Sequence, residues 1–221
     1  MPQVLSNMFW RNPLFNPLND RHAWNSLGQL INRRWSLTEC RASVLSVVQE
    51  CPEVISLQLR PNRLFKGFTP GQHLALTLPV DGVLKSRTFS LSKAPTADGS
   101  LRLTIKIKTD GQVSKAAKSL KDGDVVVISQ ASGDFTHRLP QRNILLLSAG
   151  SGITPLMAML QDWSRMAEPP QATLVHVCRT PDAFIFNAEL QTLVLQYPGL
   201  SVIPVYTAES GRLDATRLLQ L

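Results

Sequence analysis

The stretch Ser86-Arg87-Thr88-Phe89-Ser90-Leu91-Ser92 gathers a permanent cation, a flat ring and several hydroxyls. If it is a strand, its two-residue period sets Arg87 and Phe89 on one face and Thr88 and Ser90 on the other. Such a surface suits a flat ligand that carries phosphate, because guanidinium matches phosphate geometry and an aromatic ring packs against another ring. Taken alone, the same residues also describe an ordinary strand with a surface Arg and a core Phe.

A second group, Gly111-Gln112-Val113-Ser114, follows a basic strand and opens a short helical segment. Backbone N–H groups at a helix start, with Ser114 as hydroxyl donor or N-cap, would form an anion site. A third group is Leu145-Leu146-Leu147-Ser148-Ala149-Gly150-Ser151-Gly152-Ile153-Thr154-Pro155, a buried strand running into a glycine turn. We expect Thr154 as the N-cap and Pro155 at the first helical position, where its missing N–H costs nothing. Gly150, Ser151 and Gly152 would then offer backbone donors to a pyrophosphate. The turn departs from the dinucleotide fingerprint, since Pro155 stands where the third glycine would be and no acidic residue follows at the expected distance. No Lys follows the glycines, so it is not a P-loop either. Arg179, at the end of the next strand, puts a cation where an NAD-specific fold carries a carboxylate, which leans towards the 2′-phosphate of NADP.

The elements that must position these groups fall into three parts. Residues 1–36 form an aromatic-rich arm holding Trp10, Trp24 and Trp35, three of the four tryptophans. Trp24, Leu27, Leu30 and Ile31 recur at helical spacing, and we expect the arm to pack on its own domain, with a membrane or partner contact as the lesser reading. Residues 37–137 read as antiparallel β, with strands at 42–48, 54–59, 73–78, 87–92, 101–108 and 125–130 and one helix at 114–120, a count that suits a small closed barrel. In the clearest strand Leu101, Leu103, Ile105 and Ile107 should face one way and Arg102, Thr104, Lys106 and Lys108 the other. Residues 138–143, with Pro140, read as a linker. Residues 143–221 alternate strand (144–148), helix (155–166), strand (173–178), helix (187–196) and strand (201–207), which indicates a parallel sheet with crossover helices.

With 221 residues, 43% hydrophobic and 18% charged, the composition is that of a globular protein long enough for two domains. The formal charge of +7 favours an anionic ligand or partner without choosing among them. Cys40, Cys51 and Cys178 have no metal-ligand spacing, and so sparse a set points to a reducing compartment, which we take to be the cytoplasm. Residues 143–161 are uncharged, but Gly150, Gly152 and Pro155 interrupt them, so a strand and helix explain them better than a membrane span. We find no signal peptide. No G-x-S-x-G surrounds a serine, and the four histidines show no paired ligand spacing.

The three groups, in this order and spacing, resemble the ferredoxin-NADP reductase family, where R-x-Y/F-S/T on a barrel strand, G-x-x-S/T at a helix start and a glycine turn ending in T-P follow one another. The resemblance extends to Pro70-Gly71-Gln72-His73, Gly133-Asp134-Phe135 and Phe186-Asn187-Ala188-Glu189-Leu190. It implies a mixed β and α/β protein: an antiparallel Greek-key β-barrel FAD domain, then a partial doubly wound parallel α/β nicotinamide domain. It further implies that Arg87 binds the FAD pyrophosphate, Phe89 lies against the flavin and Ser90 hydrogen-bonds near N5, with Thr88 beside them. Phe89 stands where many members have Tyr, so stacking is kept and a hydroxyl contact is lost. Gly111, Val113 and Ser114 would hold the FAD phosphates, Lys106 would border the flavin and Phe135 would approach the adenine. Gly150, Ser151, Gly152 and Thr154 would meet the NADPH pyrophosphate and nicotinamide end, and Arg179 the 2′-phosphate.

The function so implied is hydride transfer from NADPH, with NADH as the second choice, to flavin N5, then one-electron transfer to an iron-sulphur protein or domain. A downstream oxygenase or desaturase belongs to the same set of partners. The family continues to a C-G-P motif that does not occur before Leu221, so we expect the chain to be a fragment. A plant-type 2Fe-2S cluster would reside in a further C-terminal domain or in a partner, because the required Cys spacing is missing here. The rival from another class is a basic β-barrel that binds nucleic acid, resting on the net charge and on Arg102, Lys106 and Lys108 sharing a strand face. Against it, that face lacks aromatics on which bases could stack, and we expect no nucleic-acid partner.

Overall fold

The computed structural model describes residues 21–32, 34–137 and 142–220. Trp10, with the rest of the arm before residue 21, and most of the linker around Pro140 lie outside them. The remaining arm begins with α1 (Arg21–Ile31). It is held to the next unit: the Asn25 carboxamide oxygen accepts from the Leu37 amide at 2.7 Å, and an Arg34 N–H reaches the Arg60 carbonyl at 3.3 Å. The Arg63 guanidinium lies 5.3 Å from the Trp35 ring centre.

Six antiparallel strands follow: β1 (Arg41–Cys51), β2 (Val54–Pro61), β3 (His73–Val80), β4 (Val83–Ser90), β5 (Leu101–Lys106) and β6 (Val125–Ile128). Their order is β4-β3-β6-β1-β2-β5. A bridge between Leu91 and Leu103 joins the two ends, closing a Greek-key barrel. Alternating apolar residues fill it: Leu74, Leu76 and Leu78 from β3 face Leu57, Leu103 and Ile105, all buried. α2 (Gln112–Lys118) adds Val113 and Ala117 to that core.

β5 departs from simple alternation. Leu101, Leu103 and Ile105 line the barrel, and Arg102 and Thr104, on the opposite face, are buried as well. The second unit packs over that face and supplies Glu189 as a partner for Arg102, while the Thr104 hydroxyl bonds those of Ser56 and Ser92, each at 2.7 Å. A cation thus leaves water because a carboxylate meets it. The basic face of the nucleic-acid reading loses its first member.

The second unit runs β7 (Asn143–Ala149), α3 (Ile153–Trp163), β8 (Gln171–Cys178), α4 (Asn187–Gln196) and β9 (Leu200–Tyr206), then two short turns, α5 (Thr207–Ser210) and α6 (Ala215–Leu218). The strands are parallel in the order β7-β8-β9. Two crossovers step the same way, and α3 and α4 share one core with the sheet, formed by Leu146, Met157, Leu160, Leu174 and Leu190. On the other face Leu145 and Leu147 remain 59% and 53% exposed. The uncharged run 143–161 is β7 and most of α3, and no described helix is long and apolar enough to cross a membrane.

Candidate cofactor site between barrel and parallel sheet

Position Asp81-Gly82 sets the register of the first group. Both residues have positive φ, 52° and 75°, the geometry of a two-residue hairpin turn that Asp-Gly favours. The turn pairs Leu76 with Arg87 and Leu74 with Phe89. Arg87 and Phe89 therefore share the inward face of the hairpin, with Thr88 and Ser90 on the other, as the sequence period requires. Among the described residues β4 is laddered to β3 alone, and its hydrogen-bonded link to the β5 side is the Leu91–Leu103 bridge. Phe89 remains half-buried on the barrel core. Arg87 is exposed, and its guanidinium donates to the Ser86 carbonyl at 2.8 Å. Thr88 is exposed and Ser90 half-buried. Lys85 donates to the Gln112 side-chain oxygen at 2.7 Å and so ties β4 to the start of α2; motif reading missed it.

Lys106 ends β5 and is exposed. The chain turns at Lys108–Gly111, where the Gly111 amide donates to the Lys108 carbonyl at 3.1 Å. Ser114 is not the cap of α2. Gly111 occupies the cap position, and the Ser114 hydroxyl donates back to the Gly111 carbonyl at 2.9 Å. The Ser114 oxygen also accepts from the Lys108 amide at 3.3 Å. Its hydroxyl is thus committed to the loop, leaving the backbone amides of Gln112, Val113 and Ser114, which have no acceptor within the helix, to face an anion. A Cβ on Gly111 would collide with the Ser114 hydroxyl, which fixes glycine there.

The glycine turn also differs in detail. Gly150 takes φ +50°, a left-handed value that glycine adopts without strain, and Gly150–Gly152 form a single 3-10 turn. α3 therefore begins at Ile153 with Gly152 as its cap, not at Pro155 with Thr154. Thr154 is buried, and its hydroxyl donates to the Ser151 carbonyl at 2.8 Å. Pro155 falls one position past Thr154, still in the first turn, where an N–H would lack an intrahelical acceptor. A Cβ built on Gly150 or Gly152 meets nothing within 4 Å, so the turn faces open space. Arg179 is exposed just past β8. Because Ala149 pairs with Val177, Arg179 stands level with this turn.

Phe135 is 62% exposed, on a loop locked to the barrel. A Cβ on Gly71 would strike the Phe135 carbonyl, and one on Gly133 would come within 2.8 Å of the His73 ring. The Pro70–His73 and Gly133–Phe135 motifs are therefore two sides of one contact.

The exposed guanidinium of Arg87 and the half-buried ring of Phe89 stand on β4, and the open glycine turn lies alongside β5. Thiolate and metal chemistry fit poorly. Burial raises the Cys40, Cys51 and Cys178 thiols, so none is a ready thiolate. Among the described residues no group of His, Cys, Asp and Glu could hold a metal ion.

Two polar arrangements escaped the motif reading. Arg102 pairs with Glu189 across the two units at 2.8 Å, although Glu189 lies within one of the quoted motifs. His176, set aside as scattered, bonds Ser148 at 2.8 Å beneath the glycine turn. Register between β7 and β8 is the signal that finds the second, and it requires the sheet.

The oxidoreductase FAD-binding domain family matches residues 42–137, and the oxidoreductase NAD-binding domain family matches residues 146–218. An NADPH oxidoreductase of Mycobacterium tuberculosis is 34% identical over 86% of this chain and 52% of its own length. The ferredoxin reductase component of a 3-ketosteroid-9-alpha-monooxygenase from Mycolicibacterium smegmatis is 33% identical over 71% of this chain and 42% of its own. The FAD/NAD-binding domain of a nitric oxide dioxygenase from Vibrio cholerae superposes with a TM-score of 0.68 at 25% identity, covering 76% of this chain and 74% of that one. The chain thus spans about half the length of the curated relatives it matches.

Proposed function

The chain belongs to the ferredoxin-NADP reductase family, carrying its FAD-binding and NAD-binding modules in sequence, and we propose that it takes electrons from NADPH through FAD and delivers them to an iron-sulphur protein or domain. A bound flavin supplies a hydride acceptor at N5 and an outlet for single electrons. Arg87 holds the FAD pyrophosphate together with the free amides of Gln112, Val113 and Ser114, and Gly111 shapes the turn that presents them. Phe89 packs against the ring system, Ser90 hydrogen-bonds near N5, and Lys106 and Phe135 border the flavin and adenine ends. Gly150, Ser151, Gly152 and Thr154 form the turn that receives the nicotinamide cofactor, and Arg179 takes its 2′-phosphate.

The observation that carries this is the exposed Arg87 on β4, which Lys85 ties to Gln112 at the start of α2, together with the open glycine turn alongside β5. The protein's part is to orient two rings against each other. The oxygenase-linked relative from Mycolicibacterium supports an acceptor that feeds an oxygenase. The absorbance spectrum of the purified protein, before and after addition of FAD and then NADPH, tests the proposal. A flavin spectrum that bleaches with NADPH supports it, and a protein that takes up no flavin overturns it.

A further inference from the structure

Arg102 does more than fill the face of β5. Its guanidinium donates to the Glu189 carboxylate at 2.8 Å and through Nε to the Ser92 carbonyl at 3.2 Å. It also lies 4.6 Å from the centre of the Phe186 ring. The other Glu189 oxygen accepts from the Gln161 carboxamide. The Gln161 oxygen in turn accepts from the Ala94 amide at 2.9 Å. Four segments thus close on one another: β5 and the Ser92–Ala94 loop from the barrel, α3 and α4 from the parallel unit. Phe186, the residue before α4, sits at φ 64°, a left-handed value that a bulky residue adopts only when its surroundings hold it there.

We infer that Arg102, Glu189 and Gln161 form a clamp that sets the separation of β5 from α3, and with it the approach of nicotinamide to flavin. The inference rests on the functional reading above. Arg102 and Lys106 share β5, four residues or roughly 13 Å apart. Gln161 and Thr154 share α3, seven residues or roughly 10 Å apart. The clamp therefore grips, at one end, the two rigid elements whose other ends bear the proposed flavin and nicotinamide contacts. A rotation of about 5° at the clamp moves those far ends by about 1 Å, a displacement that costs on the order of a hundredfold in rate when reacting atoms must meet. None of the three is among the residues proposed to contact flavin or nicotinamide, so all three are positioning residues.

The test uses the purified chain loaded with FAD. Glu189→Gln keeps the shape but removes the charge that Arg102 requires. We expect unchanged flavin content, at least tenfold faster hydrogen exchange of the Ala94 amide, and single-turnover reduction by NADPH slowed by about ten- to a hundredfold. A second variant, Arg102→Met with Glu189→Leu, replaces the pair by apolar contacts, which often preserves or raises stability. It should fold and bind flavin yet still be reduced slowly. Wild-type exchange at Ala94 in Glu189→Gln, or wild-type reduction by the double variant, overturns the clamp. If the wild type binds flavin but NADPH does not reduce it, the functional reading fails, and exchange at Ala94 alone decides whether the clamp holds the two units.

Discussion

Ser148 and His176 face each other across the β7–β8 pair, with the hydroxyl oxygen 2.8 Å from Nδ1 and both residues buried. The His176 ring stacks on Phe184 at 4.8 Å, and Nε2 has no partner among the described residues. A bare acceptor is cheaper to bury than a bare N–H, so we assign the ring proton to Nδ1, donating to Ser148. Burial pushes the imidazole down to about 4.

This depressed value makes stability depend on acid. Below its ordinary value of 6.5 the unfolded chain takes up a proton at His176 that the folded chain refuses until about pH 4. Stability is therefore lost as pH falls through that window, by on the order of 3 kcal/mol at most. His176→Phe should flatten the fall in urea midpoint between pH 7 and 4.5. A variant that keeps the wild-type slope places the titrating group elsewhere.

Arg87→Ala should weaken FAD binding by about 1.5 to 3 kcal/mol, one to two decades, because a charge-assisted phosphate contact is removed. Arg87 is exposed, so the fold should survive. Fluorescence titration with FAD measures the change; unaltered affinity removes Arg87 from the site.

Ser90→Ala should leave FAD bound and slow its reduction, since a hydrogen bond near the reacting atom acts on the rate. Stopped-flow reduction read against flavin content separates the two effects. An equal loss in both assigns Ser90 a binding role instead.

Arg179→Ala should weaken NADPH by about tenfold and leave NADH unchanged, because NADPH alone carries the 2′-phosphate. Calorimetric titration of both nucleotides checks it, and a parallel loss for the two moves the phosphate contact to another cation.

Among the described residues β7 is an edge strand, and its uncovered face exposes Leu145 and Leu147. An open, hydrophobic edge promotes association between copies. A protein of these 221 residues should self-associate at micromolar concentration, and Leu147→Lys should shift it towards monomer in sedimentation velocity. A wild type already monomeric at high concentration rules this out.

Local chemistry determined much of this protein from sequence alone. Period two located most of the strands, although β4 runs Val83–Ser90 rather than the expected 87–92; Asp81-Gly82 is itself a turn signal, and the glycines at 150 and 152 marked the strand-to-helix junction, because each of these signals depends on only a few neighbouring residues. The caps were less legible. Thr154 and Ser114 are good cap types, yet glycines took both cap positions and turned the hydroxyls onto nearby carbonyls, a competition that residue type does not reveal. What only the tertiary structure decided is what long separation hides. Arg102 reads as a solvent-facing cation until a carboxylate 87 residues later covers it, and His176 reads as incidental until β8 lies in register with β7. Burial of a charge depends on which partner the fold brings to it, and that partner is set by the packing of whole elements rather than by any local pattern.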